Sequence, residues 1–159
     1  MAMTNIAIEK VLMKDEFCQK IFKGCIYARG NPDIITNVND IRAPSMYIVN
    51  TDYKFGPGLH WVLVYYKSDH TIFFDSLGLS TSLYSLPFLV ERKGLPVVRN
   101  TQSIQPLNLS SFYCGHHVVV HALLLARGKS LTQARKYFTQ NQLCNDQIAS
   151  IILKCLQKK

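Results

Sequence analysis

His60-Trp61-Val62-Leu63-Val64-Tyr65-Tyr66-Lys67-Ser68-Asp69-His70-Thr71-Ile72-Phe73-Phe74-Asp75 is the stretch that decides the fold. Trp61 to Tyr66 is apolar without alternation, which predicts a central strand buried on both faces. Lys67 to His70 reads as a turn, and Thr71 to Asp75 as the hairpin partner. Such a hairpin cannot bury itself, so the rest of the chain has to cover it.

Toward the N-terminus, Ile8, Val11 and Leu12 recur at helical spacing within 5–14. Residues 15–23 read as a second short helix, capped by Asp15, with Phe17, Ile21 and Phe22 inside and Gly24 ending it. Asn31-Pro32-Asp33 marks a turn in an irregular connection that ends at Pro44. Met46 to Val49 reads as a short strand and Asp52 to Gly58 as a loop. Toward the C-terminus, 80–92 is predicted helical around Pro87. Val97-Val98 and Ser103-Ile104 read as short strand pieces. Cys114 to about Ala126 predicts a buried helix ended by Gly128, although three consecutive valines lean toward strand. Ser130-Leu131-Thr132-Gln133 reads as a capping box opening a helix to about Phe138. A last helix near 146–156 sets Ile148, Ile151, Ile152 and Cys155 on one face. The expected fold is one α+β domain over 1–159: a mixed or antiparallel sheet packed on the cysteine-bearing helix, with flanking helices.

The chain has 159 residues, 48% of them apolar and 18% charged, ordinary proportions for a globular protein. Its apolar runs are far short of a bilayer span, and Met1 to Lys10 lacks the pattern of a signal peptide, so neither membrane insertion nor secretion is expected. Five cysteines at irregular spacing, with no CxxC pair, argue for a reduced intracellular setting. Cys18, Cys25 and Cys155 lie among apolar residues and read as small core hydrophobes. The net charge of +8 permits contact with DNA or another polyanion. A plain basic surface accounts for it equally well. No metal or small-molecule cofactor is expected, and a monomer is.

The chemistry gathers at Ser110-Ser111-Phe112-Tyr113-Cys114-Gly115-His116-His117. A cysteine at a helix N-terminus meets unpaired N–H groups and the positive end of the dipole, which favour thiolate. A nucleophilic thiol also needs a base, a group to orient that base, and donors for an oxyanion. With an even hairpin loop of Lys67-Ser68 alone or Tyr66 to Asp69, His60 falls directly opposite Asp75 and shares its face. That makes His60 the candidate base and Asp75 its orienting acid. Gln105 is the candidate oxyanion donor, and Asn108 offers the same chemistry. Gly58, Trp61 and Gly115 flank these residues as substrate-cleft candidates. His117 and His121, at i and i+4, have a zinc-like spacing but no third ligand nearby in sequence. His116 reads as a rim residue and His70 as part of a turn.

In these residues the chain resembles the adenain-like (adenovirus-type) cysteine endopeptidases and, more distantly, proteases of ubiquitin-like modifiers. The resemblance spans about residues 22–125. It rests on Phe22-Lys23-Gly24 and Tyr27, Ile48-Val49-Asn50-Thr51, Gly58-Leu59-His60-Trp61 and Phe73-Phe74-Asp75-Ser76-Leu77-Gly78. It continues through Thr101-Gln102-Ser103-Ile104-Gln105, Asn108, Ser110-Ser111 and Cys114-Gly115. The resemblance implies a papain-like catalytic arrangement with Cys114 as nucleophile, His60 as base, Asp75 as acid and Gln105 as oxyanion donor. It further implies viral precursor proteins as substrates, cut after small residues such as glycine during virion maturation, in the host nucleus or virion. It implies stimulation by DNA and by a capsid-derived peptide. Three departures stand out. The adenain acid is Glu where this chain has Asp75, as the modifier proteases do. The Gln105–Cys114 segment is two residues longer. The position matching the cysteine that tethers the activating peptide is Gly94, so any such peptide would bind without that disulfide. An isopeptidase acting on ubiquitin-like modifiers, and a basic nucleic-acid-binding module with a degenerate site, are the alternative readings.

Overall fold

The computed structural model describes residues 2–29, 35–53, 59–106 and 112–158. Five strands form one mixed sheet in sequence order: β1 (Phe22–Arg29), β2 (Ser45–Tyr53), β3 (Trp61–Tyr66), β4 (Thr71–Phe74) and β5 (Val97–Arg99). The inner pairs β2–β3 and β3–β4 are antiparallel, while the outer pairs β1–β2 and β4–β5 are parallel. All six residues of β3 are buried, as an apolar run without alternation requires. Their side chains alternate between two cores. Trp61, Leu63 and Tyr65 point to the larger one, shared with α1 (Asn5–Leu12), α3 (Cys114–Ala126) and α5 (Asn145–Leu156). Val62, Val64 and Tyr66 point to a smaller one covered by Leu86, Leu89 and Val90 around α2 (Pro87–Val90).

Helix α3 is apolar nearly all round and buries Gly115 and every residue from His117 to Leu125. Its three valines cost a few tenths of a kcal/mol each in helix propensity. Burial of each side chain returns about 1.5–3 kcal/mol, so packing decides the conformation. Gly128, at φ +79°, follows its C-terminus. Ser130 and Gln133 then form the capping box that opens α4 (Leu131–Arg135).

Several sequence expectations fail locally. Residues 15–23 are not a helix. Asp15 does accept the N–H groups of Phe17 and Cys18, but only one 3-10 turn, Cys18–Lys20, follows, and Phe22 already starts β1. Gly24 lies inside that strand at a register irregularity, with φ +137°. β2 extends through Asp52 to Tyr53, and 54–58 of the expected loop lie outside the described residues, as do 30–34 of the first connection. The 80–92 segment is two pieces, a 3-10 turn Thr81–Tyr84 and α2, separated by Ser85 in left-handed conformation. Pro87 opens the second piece, where its missing N–H costs nothing. Among the described residues Ser103-Ile104 pairs with no strand; α4 stops at Arg135 instead of reaching Phe138. In α5 the buried residues are Asn145, Ala149 and Leu153, whereas Ile151 is 60% exposed and Cys155 is exposed. Cys18 is fully buried as expected, but Cys25 is only partly so.

Candidate active site

The hairpin register brings His60 and Asp75 together by a different route from the one expected. The loop is even, Lys67 to His70, and β3 pairs with β4 as Tyr66↔Thr71 through Leu63↔Phe74. Extending that ladder sets Asp75 opposite Val62, so His60 is its diagonal neighbour rather than its direct one. Diagonal partners share a face and lie within reach of long side chains. His60 Nε2–H donates to Asp75 Oδ1 at 2.6 Å.

Asp75 is wholly buried and held on both oxygens. Oδ1 also accepts the Leu77 N–H at 3.0 Å. Oδ2 accepts the Leu79 N–H at 2.9 Å and the Tyr84 hydroxyl at 3.0 Å. Its main chain is clamped by Asn100, whose Oδ1 accepts the Asp75 N–H at 3.0 Å and whose Nδ2 donates to the Asp75 carbonyl at 2.6 Å. Asn100 thus prolongs the β4–β5 pairing with a side chain. The turn closes with Gly78 N–H on the Asp75 carbonyl at 2.9 Å. Gly78 has φ +70°, and a Cβ there would stand 2.6 Å from the Gln102 carbonyl carbon, so only glycine fits. The Tyr84 ring stacks on His60 with centroids 5.7 Å apart.

Cys114 occupies the first position of α3 and hydrogen-bonds His60. With Nε2 committed to Asp75, Nδ1 is the ring atom left for the sulfur. Thiol, imidazole and carboxylate therefore form one chain, and their charges are mutually arranged. Burial pushes the Cys114 thiol up, but the His60 bond and charge, with the N–H groups of Trp61 and Gly115, bring it below its ordinary value. Burial pushes His60 down, yet Asp75 and Cys114 together raise it to about 9. Burial likewise works against the Asp75 carboxylate, and His60 with the two amides holds it below the usual range. Such a set favours a thiolate beside an imidazolium, the charge state a sulfur nucleophile requires.

Gln105 is 3% exposed and tied to the same turn. Its Oε1 accepts the Ser76 hydroxyl at 2.7 Å, and its N–H and that of Ile104 donate to the Ser76 carbonyl at 3.0 and 2.8 Å. The carboxamide is thereby oriented, its acceptor committed to Ser76 and its donors at the far end. Trp61 and Gly115 are buried beside Cys114, while Gly58 and Asn108 lie outside the described residues. Sequence reading does not single out Tyr84 or Asn100 for the site. An amide directly after a short apolar strand is the only signal that marks Asn100, and nothing in the sequence marks Tyr84.

The histidines after Gly115 do other work. His117 Nε2 meets Asp146 Oδ1 at 2.9 Å, and His121 Nδ1–H donates to the His117 carbonyl at 2.8 Å. His121 lies between the Phe74 and Phe138 rings, and burial takes it down to about 3. His116 is partly buried against Tyr113, and His70 pairs with Asp69 in its turn. Among the described residues no three metal-ligating side chains cluster, and no helix is long and apolar enough to cross a membrane. No known family model and no curated protein matches the chain.

Proposed function

We propose that this chain is a thiol endopeptidase with Cys114 as nucleophile, His60 as its acid–base partner and Asp75 as the orienting carboxylate. The supporting observation is the Cys114–His60–Asp75 chain, in which the thiol is lowered while the imidazole is raised to about 9. The Cys114 thiolate attacks a peptide carbonyl carbon. His60 gives its proton to the departing amine, and water then opens the acyl-enzyme with His60 as base. Asp75, fixed by its donors, keeps Nε2 protonated so that Nδ1 serves the sulfur. The Cys114 N–H and a side-chain amide, Gln105 or Asn108, stabilise the oxyanion.

The resemblance to adenain-like enzymes supports viral precursor proteins, cut at glycine-containing sites, as substrates. The charge of +8 supports stimulation by DNA. Peptide hydrolysis is to be measured on glycine-containing substrates, with and without DNA, beside a panel of modifier–fluorophore conjugates. Activity should follow a bell-shaped pH profile, rising as the thiolate forms and falling as His60 loses its proton near pH 9. Cleavage confined to the conjugates would move the assignment to an isopeptidase. Salt-sensitive DNA binding indifferent to Cys114→Ala, with no alkylation of Cys114, would instead make the chain a nucleic-acid module.

A further inference from the structure

The N-terminal residues cross the opening turn of α3. Trp61 Nε1–H donates to the Met3 carbonyl oxygen at 3.1 Å. A Cβ built on Gly115 would stand 2.7 Å from Met3 Cβ, 3.4 Å from Met3 Cγ and 3.5 Å from Trp61 Cδ1. Met3 therefore rests on the Gly115 backbone beside the indole, and any larger residue at 115 collides with it. The segment is anchored on its other side as well. Thr4 caps α1 by accepting the Ala7 N–H at 3.2 Å, and α1 buries Ile8 and Leu12 completely.

Trp61 and Gly115, both in contact with Met3, are also residues whose backbone N–H groups help to lower the Cys114 thiol. We propose that Met3 is a positioning residue for the Cys114 thiolate, clamping Trp61 and Gly115 so that both N–H groups stay aimed at the sulfur. An N–H group stabilises a charged acceptor only over a narrow range of distance and angle. Trp61 opens the sheet's central strand and Gly115 lies in a helix on its face, so neither element alone fixes their separation. An unbranched, polarizable methionine fills the irregular gap between indole and glycine backbone. The inference rests on Cys114 being the reactive thiol proposed above.

The test is the pH dependence of Cys114 carbamidomethylation by iodoacetamide in the full chain. Peptide mapping would separate Cys114 from the exposed Cys144 and Cys155. Met3→Ala should raise the alkylation midpoint by about one pH unit, a tenfold lower thiolate fraction below it. It should lower kcat by a similar factor with KM unchanged, and Met3→Leu should restore both. A purely structural role would lower Tm and leave the midpoint in place, which overturns the proposal. Trp61→Phe removes the N–H to Met3 while keeping a ring, and should shift the midpoint in the same direction by less. If Met3→Ala does not fold, Trp61→Phe decides, and an unchanged midpoint there overturns the proposal. A wild-type midpoint at the ordinary thiol value would instead sink the endopeptidase reading, and this one with it.

Discussion

Helix α3 meets a cysteine and a histidine twice. At its first turn Cys114 bonds His60. About two turns on, the Cys18 thiol donates to the Ala122 carbonyl at 3.6 Å, one residue from His121. Burial acts against charge on all four side chains, yet the outcomes are opposite. Cys18 is raised to about 12, by burial and then by the Asp15 charge, and His121 is lowered to about 3. Cys114 is lowered and His60 raised to about 9. The difference lies in the partners. Cys18 faces a carbonyl and a carboxylate, both of which oppose a thiolate. Cys114 faces an imidazole backed by a carboxylate, plus two N–H groups. Burial by itself makes a thiol inert and an imidazole neutral, and only a desolvated counter-charge reverses that.

The strongest way to erase the contrast is to take away the counter-charge. Asp75→Asn should cut kcat by about 10³–10⁴, because the amide no longer holds the imidazolium or its tautomer. The Cys114 alkylation midpoint should move up toward that of Cys18, so a variant keeping the wild-type midpoint would break the explanation. Gln105→Ala separates charge from oxyanion binding. It should lower kcat by about 10²–10³ without moving the alkylation midpoint. If Asn108→Ala produces that loss and Gln105→Ala does not, the donor is Asn108.

The core half of the comparison is tested through stability. His121 has a folded value of about 3, below its unfolded value of 6.5, so the unfolded chain binds the extra proton. Its contribution is present above pH 6.5 and is lost as pH falls toward 3. Across that window His121→Leu should unfold with about one proton less taken up. Its stability should then fall by about 1.4 kcal/mol less per pH unit than that of wild type. Equal slopes in urea titrations across pH would show that His121 is not buried neutral. Cys18→Ala should do least, costing about 1 kcal/mol in chemical denaturation with kcat unchanged.

Periodicity carried the elements whose burial is uniform. β3 and α3 are buried all round, and a run of apolar residues is legible whatever packs on it. β1 was hidden, because its pairing with β2 is parallel and depends on a partner far along the chain. Ile21 and Phe22 beside Cys18 imitate a helical stripe, and Gly24 looks like a stop rather than an irregularity inside a strand. In the site, face parity of the hairpin was legible, since an even loop preserves it. The offset by two residues was not, because it depends on where the turn closes. The resemblance marked out Cys114, His60, Asp75 and Gln105. Tyr84 and Asn100 reach the site from the α2 side and from the end of β5, contacts that no local spacing encodes.

The Asp75 carboxylate also turns the site into its own gauge. Leu77 and Leu79 each spend their amide proton on it, at 3.0 and 2.9 Å, in a turn outside any helix or strand. Amides in such turns normally trade with solvent deuterium quickly unless a bond protects them. Here protection can be lost only when the carboxylate lets go, which is also when His60 loses its orientation. The deuterium uptake of these two backbone positions therefore measures how often the His60–Asp75 assembly comes apart. It can be followed without substrate, in a resting protein.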